Sequence, residues 1–188
     1  MSAPSPHPAV DFVFGGARSG KTALALERAE ACGLEPVMVA TAEAWDDEMR
    51  VRIAAHRAER GPRWRTIEES RDLVGALARE AASDRVLVVD CLTLWLSNQM
   101  AAQVDVEAEI ERLVAALGRA GGPVILVSNE VGLGIVPENA LARRFRDLQG
   151  RLNRRVAAVA DRVTFVAAGL PLVLKGGRGE ESGGNPPS

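Results

Sequence analysis

Apolar runs and amphipathic stretches alternate along the chain. Short runs that are apolar on both faces, such as VLVV and PVILV, are typical of strands in a parallel sheet that helices cover on each side. The predicted strands are Val10–Phe14, Pro36–Ala40, Trp64–Ile67, Arg85–Asp90, Pro123–Ser128 and Arg162–Ala167. The predicted helices are Ala23–Ala31, Ser70–Ala82, Val106–Ala120 and Ala140–Ala160, with Ser70 and Asp105 as N-caps and Gly33 as a C-cap. The pattern predicts an α/β fold that binds ligands at the carboxyl ends of its strands.

A glycine-rich turn, GGARSGKT, joins the first strand to the first helix and fits G-x-x-x-x-G-K-[ST] from Gly15 to Thr22. In such a loop the backbone N–H groups converge on an anion, and the positive end of the next helix adds to the field. We expect Lys21 to reach the β- and γ-phosphates of a nucleotide, and Thr22 to coordinate Mg²⁺. The alternative is an ordinary glycine turn, but the flanking strand and helix favour a phosphate-loop NTPase-like (RecA-like) fold.

The strand RVLVVD ends in Asp90. A carboxylate at the carboxyl end of a buried strand is able to hold the Mg²⁺ that bridges nucleotide phosphates. Four apolar residues followed by Asp are a weak signal alone, because many strands end in this way. Together with the Gly15–Thr22 loop, the pattern predicts Asp90 as a second Mg²⁺ ligand.

The segment after the second strand contains His56. Met49, Ile53 and His56 follow helical spacing, and this periodicity alone favours a histidine packed on the apolar side. The other interpretation is a nucleophile, since the arginines around it favour a neutral imidazole, which is able to attack an α-phosphorus and carry a nucleotide as a phosphoramidate. These arginines are Arg52, Arg57, Arg60, Arg63 and Arg65.

Composition narrows the classes of function. A chain of 188 residues with 47% hydrophobic residues is expected to form one nucleotide-binding domain over 10–175, between a flexible leader at 1–9 and a disordered tail at 176–188. No apolar stretch is long enough to span a bilayer, and the beginning lacks the pattern of a secretory signal. Cys32 and Cys91 form no metal-type cluster, which fits a reducing cytoplasm. A formal net charge of −2 gives no reason to expect a nucleic-acid partner.

Several segments, taken in order, resemble one enzyme family. They are GGARSGKT, ATAEAWDDEM with RIAAHR and WRTIEE, VLVVDCLTLWLSN, VSNEVGLGIVPENALARRFRDLQGRLN and GLPLVLK, and they extend from about Val10 to Lys175. The chain is similar to the bifunctional adenosylcobinamide kinase / adenosylcobinamide-phosphate guanylyltransferases of cobalamin biosynthesis. The second and fourth segments are far more specific than a phosphate loop alone.

The resemblance implies two reactions and a set of residues for them. ATP or GTP phosphorylates the aminopropanol hydroxyl of adenosylcobinamide, and GTP then donates GMP to that phosphate, giving adenosyl-GDP-cobinamide and pyrophosphate. His56 is implied to carry GMP covalently, and Lys21 is the other expected catalytic residue. The family's nucleotide contacts fall on Gly15, Gly16, Ala17, Arg18, Ser19, Gly20, Lys21, Thr22, Ala40, Thr41, Ala42, Arg57, Ala58, Glu59, Arg60, Glu68 and Asp90. A homotrimer with the nucleotide near a subunit boundary is also implied.

The chain departs from the family pattern at three positions. Ala55 precedes His56 where some members have a second histidine, which leaves one candidate nucleophile. Asp90 stands where some members have Glu; a carboxylate remains, and its shorter side chain is expected to alter the metal or guanine contact. Thr22 replaces a frequent Ser, and either hydroxyl serves Mg²⁺.

A glycine-containing loop, a basic helix and the tryptophans each allow a structural and a functional interpretation. The loop SNEVGLGIVPEN at 128–139 is expected either to bind substrate, as a lid, or to contact another subunit. The arginines of the helix that follows are expected to form a solvated face. Packing is favoured over ligand stacking for Trp45, Trp64 and Trp95.

Two other functions remain open on the sequence alone. The first is a simple phosphate-loop small-molecule kinase, in which His56 has a structural role and no reaction takes place at the α-phosphate of the nucleotide. The second is a nucleotide-dependent switch or assembly protein, although no N-K-x-D-type guanine-reading motif is present.

Overall fold

The computed structural model of the chain describes residues 9–43 and 61–176. Its strands are β1 (Val10–Gly15), β2 (Glu35–Ala40), β3 (Arg65–Glu68), β4 (Arg85–Asp90), β5 (Val124–Asn129), β6 (Arg162–Ala167) and β7 (Leu170–Lys175). Its helices are α1 (Lys21–Ala31), α2 (Leu73–Glu80), α3 (Leu92–Ala101), α4 (Val106–Leu117) and α5 (Ala140–Val159). The strands form one sheet in the order β3-β2-β4-β5-β1-β6-β7. All neighbouring strands are parallel except β6 and β7.

Helices cover both faces of the sheet. On one face, Phe12 and Val39 belong to the core cluster that α2, α3, α4 and α5 complete. On the other face, Val13 and Met38 pack with Ala25 of α1. Because successive strand residues point to opposite faces, a strand covered on both sides is apolar at consecutive positions, as at Phe12 and Val13. The predicted α/β fold, with a mainly parallel sheet and helices on both sides, is confirmed.

The predicted strands and most helix ends agree with the structure. Each of the six predicted strands is present, with bounds that differ by at most about one residue. Asp105 is confirmed as an N-cap, since its Oδ1 accepts a hydrogen bond from the Ala108 N–H at 3.1 Å. Gly33, with a φ of 69°, ends the first helix in the left-handed conformation, one residue after Cys32.

The prediction of Ser70 as an N-cap is wrong. The helix starts at Leu73, and Asp72 is its N-cap, with its side chain accepting a hydrogen bond from the Gly75 N–H at 2.8 Å. Ser70 instead donates its hydroxyl proton to Glu43 at 2.6 Å. Both residues are good caps locally, and a contact with a residue distant in sequence decides between them.

Sequence periodicity missed two elements. Helix α3 buries three polar side chains, Thr93, Asn98 and Gln99, and therefore has no simple apolar stripe. Strand β7 is exposed along its whole length and contains Pro171, which is tolerated at the edge of a sheet. It turns back from β6 through Ala168 and Gly169, both at positive φ.

The expectations for the basic helix and the tryptophans are largely confirmed. Arg151 and Arg155 of α5 are exposed and form ion pairs with Glu107 and Glu111 of α4, as expected of a solvated face. Trp95 is 1% exposed and packs in the core. Trp64 is half-buried and donates its indole N–H to Glu30 at 3.2 Å, whereas Trp45 lies outside the described residues.

A buried ion cluster fixes α1 to the amino end of β1. Asp11 is 1% exposed, and both of its oxygens accept hydrogen bonds from Arg28 Nη1, at 3.0 and 3.1 Å. Arg162 also contacts Asp11, and Thr164 accepts a hydrogen bond from Arg28 Nη2. Burial lowers the pKa of the Arg28 guanidinium, opposed by the charge of Asp11. The cluster holds the helix whose first residues belong to the glycine-rich loop.

Candidate nucleotide-binding site

The carboxyl ends of five neighbouring strands bring the candidate residues together. Gly15 at the end of β1 is in register with Asn129 of β5, and Asp90 of β4 is in register with Ala40 of β2. Ala40 is also in register with Glu68 of β3. Residues that are distant in sequence therefore share one edge of the sheet, where an α/β fold binds its ligands.

The loop from Gly15 to Thr22 has the geometry of a phosphate cradle. Gly20 adopts a φ of 95° and precedes α1 as its N-cap, and Arg18 also has a positive φ, of 54°. The Lys21 side chain is 8% exposed and folds back over the loop, with Nζ donating to the Gly16 carbonyl at 3.0 Å. Ser19 Oγ is buried and has no hydrogen-bond partner among the described residues. The loop thus presents a helix amino end, an ammonium and an unsatisfied hydroxyl to an anion.

Gly15 is required by close backbone approach. A Cβ at this position would lie 2.2 Å from the Val166 carbonyl oxygen and 2.9 Å from Ser19 Oγ, which no small adjustment relieves. We expect Gly15→Ala to destabilise the protein by about 1–3 kcal/mol and to weaken nucleotide binding, because the loop has to move away from β6. Thermal unfolding and nucleotide titration measure both effects. Gly16→Ala is the matched stability control, since its Cβ would meet no atom within 4 Å; equal melting temperatures for the two variants would contradict the prediction.

Thr22 and Asp90 meet as the predicted Mg²⁺ ligands should. The Thr22 hydroxyl donates a hydrogen bond to Asp90 Oδ2 at 3.2 Å, between the first turn of α1 and the end of β4. A hydroxyl and a carboxylate are suited to Mg²⁺, which takes its other ligands from water and from nucleotide phosphates. Within 9–43 and 61–176 no group of three or more His, Cys, Asp or Glu side chains is placed to hold a metal by itself. The donor set fits a metal that arrives with a nucleotide.

Thr41 ties the end of β2 to the end of β4. Its side chain is fully buried, and Oγ1 both donates to the Cys91 carbonyl and accepts from the Cys91 N–H, each at 2.8 Å. Its carbonyl accepts a hydrogen bond from Asn98 Nδ2 at 2.9 Å. The Thr41 side chain therefore holds the backbone of the residue directly after Asp90. A nucleotide contact at 40–42 stays a prediction, and the Thr41 hydroxyl is already occupied by Cys91.

Cys91 lies directly after Asp90 and is inert by burial. Desolvation raises the pKa of its thiol to about 11, and the charge of Asp90 acts in the same direction. Since thiolates react and an ordinary cysteine has a pKa of about 8.5, we expect Cys91 to react with iodoacetamide at pH 8 about 10²-fold more slowly than a free cysteine. The shift favours the folded state below about pH 8.5, and this contribution is lost as the pH rises through about 11.

A Cys32→Ser protein isolates the Cys91 thiol for this measurement, because these two are the cysteines of the chain. Labelling is followed by mass spectrometry in native buffer and in guanidinium chloride. Denaturation should restore the rate of a free cysteine. Rapid labelling of the native protein at pH 8 would contradict the assignment.

The other predicted site residues divide into two groups. Glu68 is exposed at the end of β3, two strands from Asp90. His56 and the contact residues Arg57, Ala58, Glu59 and Arg60 lie outside the described residues. The chain that leads to them departs from β2 beside Asp90, since the Thr41 N–H donates to the Asp90 carbonyl at 3.2 Å. Their roles stay predictions.

A buried amide network behind the site was not predicted. Gln149 and Ser128 are fully buried; Gln149 Nε2 donates to Ser128 Oγ and to Asn153 Oδ1, each at 2.9 Å. Asn153 Nδ2 in turn donates to the Asn129 carbonyl at 3.0 Å. One sequence feature could have predicted this network: Gln149 and Asn153 lie four residues apart on the apolar stripe of a helix, where an amide side chain needs a buried partner.

The chain matches the family model described as CobU, cobinamide kinase / cobinamide phosphate guanyltransferase, over residues 11–174. The chain belongs to this family. The bifunctional adenosylcobalamin biosynthesis protein CobP of Pseudomonas aeruginosa is 49% identical to it over 168 residues, covering 88% of this chain and 97% of the relative. The corresponding CobU protein of Salmonella typhimurium is 40% identical over 182 residues, covering 87% and 98%. The resemblance inferred from the sequence segments is confirmed.

The fold also matches a solved structure of more distant sequence. The RadB recombinase superposes with a TM-score of 0.50 at 21% identity, over 84% of this chain and 73% of that chain. This likeness concerns the fold alone and agrees with the predicted phosphate-loop NTPase-like architecture. Among the described residues, no helix has both the length and the apolar character needed to cross a membrane.

Proposed function

We propose that this protein is a bifunctional adenosylcobinamide kinase and adenosylcobinamide-phosphate guanylyltransferase. The observation that carries the proposal is the phosphate loop, with Thr22 hydrogen-bonded to Asp90, in a chain that belongs to the cobinamide kinase / cobinamide phosphate guanyltransferase family. The near-complete overlap with relatives named as bifunctional proteins supports assigning both reactions to one chain. Its substrates are adenosylcobinamide, adenosylcobinamide phosphate, and GTP or ATP.

In the kinase reaction, the acceptor hydroxyl attacks the γ-phosphorus and the nucleoside diphosphate leaves. The protein contributes mainly position and charge stabilisation to such a transfer. The Lys21 ammonium and the backbone N–H groups of the loop bind the β- and γ-phosphate oxygens. Thr22 and Asp90 would hold Mg²⁺, which neutralises charge on the phosphates. Thr41 keeps the chain after Asp90 in place through its two hydrogen bonds to Cys91.

In the guanylyltransferase reaction, His56 is the proposed nucleophile. Its imidazole attacks the α-phosphorus of GTP, pyrophosphate leaves, and a phosphoramidate bond to GMP forms. The phosphate of adenosylcobinamide phosphate then attacks that phosphorus and releases the histidine. Two easier displacements replace one difficult step. The departure of the chain from β2 beside Asp90 supports a histidine that reaches the same nucleotide edge.

The experiment that tests the function is direct product analysis. The protein is incubated with adenosylcobinamide, Mg²⁺ and GTP. Samples are taken over time, and the corrinoids in each are separated and identified by mass spectrometry. We expect adenosylcobinamide phosphate to form first and adenosyl-GDP-cobinamide to replace it. If adenosylcobinamide phosphate accumulates and no adenosyl-GDP-cobinamide forms, the protein is a kinase without transferase activity. An unchanged corrinoid would contradict the proposal.

We also propose that the enzyme is a cytoplasmic homotrimer. Support for an assembly comes from β7, whose outer edge has no partner strand among the described residues and whose apolar side chains are exposed, with Leu170 at 73%. The free thiols of Cys32 and Cys91 are consistent with a reducing compartment. Sedimentation equilibrium should give three times the chain mass of 20.0 kDa. A mass of one chain at working concentration would contradict the trimer.

A further inference from the structure

Glu130 directly follows β5 and lies next to the first residue of the phosphate loop. Its backbone N–H donates to the Gly15 carbonyl at 2.9 Å, so the residue after β5 is bound to the first residue of the phosphate loop. The next residue, Gly16, accepts the hydrogen bond from Lys21 Nζ. Because a phosphate-loop lysine reaches the β- and γ-phosphates, this side of the loop faces the terminal phosphate. Glu130 therefore lies next to the loop that would hold the transferred phosphate.

Buried polar contacts fix the backbone that carries Glu130. The N–H of the preceding Asn129 donates to Thr93 Oγ1 at 2.8 Å, and its carbonyl accepts from Asn153 Nδ2 at 3.0 Å. Gln149 and Ser128, both fully buried, hold Asn153 in turn. Because its own N–H and the residue before it are both held in this way, Glu130 is suited to precise placement of a functional group.

The Glu130 carboxylate is able to accept a proton. The side chain is half-buried; Oε1 accepts the Gly132 N–H, and Oε2 makes no hydrogen bond or ion pair within the described part of the chain. Two other carboxylates at the ends of the strands are less suited to this role. Asp90 accepts a hydrogen bond from Thr22 and is the expected Mg²⁺ ligand. Glu68 is farther away, since β2, β4 and β5 separate its strand from the strand of Gly15.

We propose that Glu130 is the general base of the phosphoryl transfer. This proposal rests on the proposed function and adds a catalytic residue to its kinase half. Glu130 takes the proton of the acceptor hydroxyl as the oxygen forms its bond to the γ-phosphorus. The bond between that phosphorus and the β,γ-bridging oxygen breaks, and the nucleoside diphosphate leaves with the electron pair. The products are the phosphate ester, the diphosphate and a protonated Glu130, which returns its proton to water.

The guanylyl transfer has no corresponding need for Glu130. Its acceptor is a phosphate monoester, whose second pKa is about 6, so the attacking oxygen is already deprotonated at neutral pH. A general base contributes typically about 10²–10⁴-fold to a proton transfer. The chemistry thus predicts that loss of Glu130 separates the two activities of one site.

The test measures each half-reaction with its own substrate in the full-length protein. Kinase activity is followed with adenosylcobinamide and γ-labelled ATP, and guanylyl transfer with α-labelled GTP and adenosylcobinamide phosphate made beforehand by the wild-type enzyme. We expect Glu130→Gln to lower the kinase kcat about 10²–10⁴-fold with little change in KM, and to leave guanylyl transfer within about 3-fold. Glu130→Asp keeps the carboxylate and should recover part of the kinase rate.

Asp84→Asn is the control, because Asp84 is an exposed carboxylate directly before β4, at the edge of the sheet opposite to the phosphate loop. It should keep both activities. Kinase activity within about 5-fold of wild type in Glu130→Gln would overturn the proposal, as would an equal loss in both half-reactions, which indicates a structural or nucleotide-binding role. Failure of the wild-type protein in both assays would instead overturn the proposed function, so the two failures are distinct.

Discussion

We expect Lys21→Ala to lower both the kinase and the guanylyltransferase rates by about 10³-fold or more. Lys21 supplies the one ammonium in the phosphate loop, held 3.0 Å from the Gly16 carbonyl and almost fully buried. Charge placed in advance near the transferred group is worth about 10²–10³-fold per hydrogen-bond donor, and a full positive charge on two phosphates exceeds that. Both reactions start from a nucleoside triphosphate bound at this loop, so both should fall together.

The chain offers a matched control, since Lys21 and Lys175 are its two lysines. Lys175 is exposed and donates to the carbonyls of Ala157 and Ala158 at the end of α5. Lys175→Ala should keep both rates within a few-fold. The measurements are steady-state rates for each half-reaction and nucleotide affinity by titration calorimetry. A Lys21→Ala protein that still binds and turns over GTP normally would show that the loop is not the nucleotide site.

His56→Ala should abolish guanylyl transfer, by at least about 10⁴-fold, while the kinase rate stays within a few-fold of wild type. A covalent nucleophile has no substitute in its own step, and its removal leaves only the contribution of binding and charge. The γ-phosphoryl transfer does not pass through the histidine. Adenosylcobinamide phosphate should therefore accumulate in the presence of GTP, which mass spectrometry of the corrinoids detects.

His7→Ala is the control for this variant, since His7 and His56 are the two histidines of the chain. It should convert adenosylcobinamide through to the GDP product at the wild-type rate. Guanylyl transfer that survives in His56→Ala would exclude the histidine as the GMP carrier. Loss of both activities at once would instead assign His56 a structural role, which is what its helical spacing alone favours.

The sequence alone predicted those features that depend on residues close together in the chain. The phosphate loop needs only the spacing of Gly15, Gly20, Lys21 and Thr22 between a strand and a helix, and the structure brings these residues together as predicted. Most of the strands were predictable for the same reason, because a strand buried on both faces is apolar at consecutive positions. Asp90 was a weak signal by itself, and its hydrogen bond to Thr22 supports the interpretation.

Features that depend on distant parts of the chain were not predictable. Thr41 was carried over as a nucleotide contact, and only the structure reveals that its side chain binds the backbone of Cys91. The place of Glu130 beside Gly15 follows from the order of strands in the sheet, which periodicity does not contain. Ser70 and Asp72 are equivalent caps by sequence, and the contact of Ser70 with Glu43 separates them.

Covalent labelling of the wild-type protein with GTP shows whether the enzyme carries GMP on one of its own residues. The protein is incubated with Mg²⁺ and either α-³²P- or γ-³²P-labelled GTP, without corrinoid, and is then run on a denaturing gel. We expect an acid-labile, alkali-stable label from the α-position alone, together with release of pyrophosphate. A folded protein that binds GTP but takes up no α-label would contradict the guanylyltransferase half and leave only the phosphate-loop kinase.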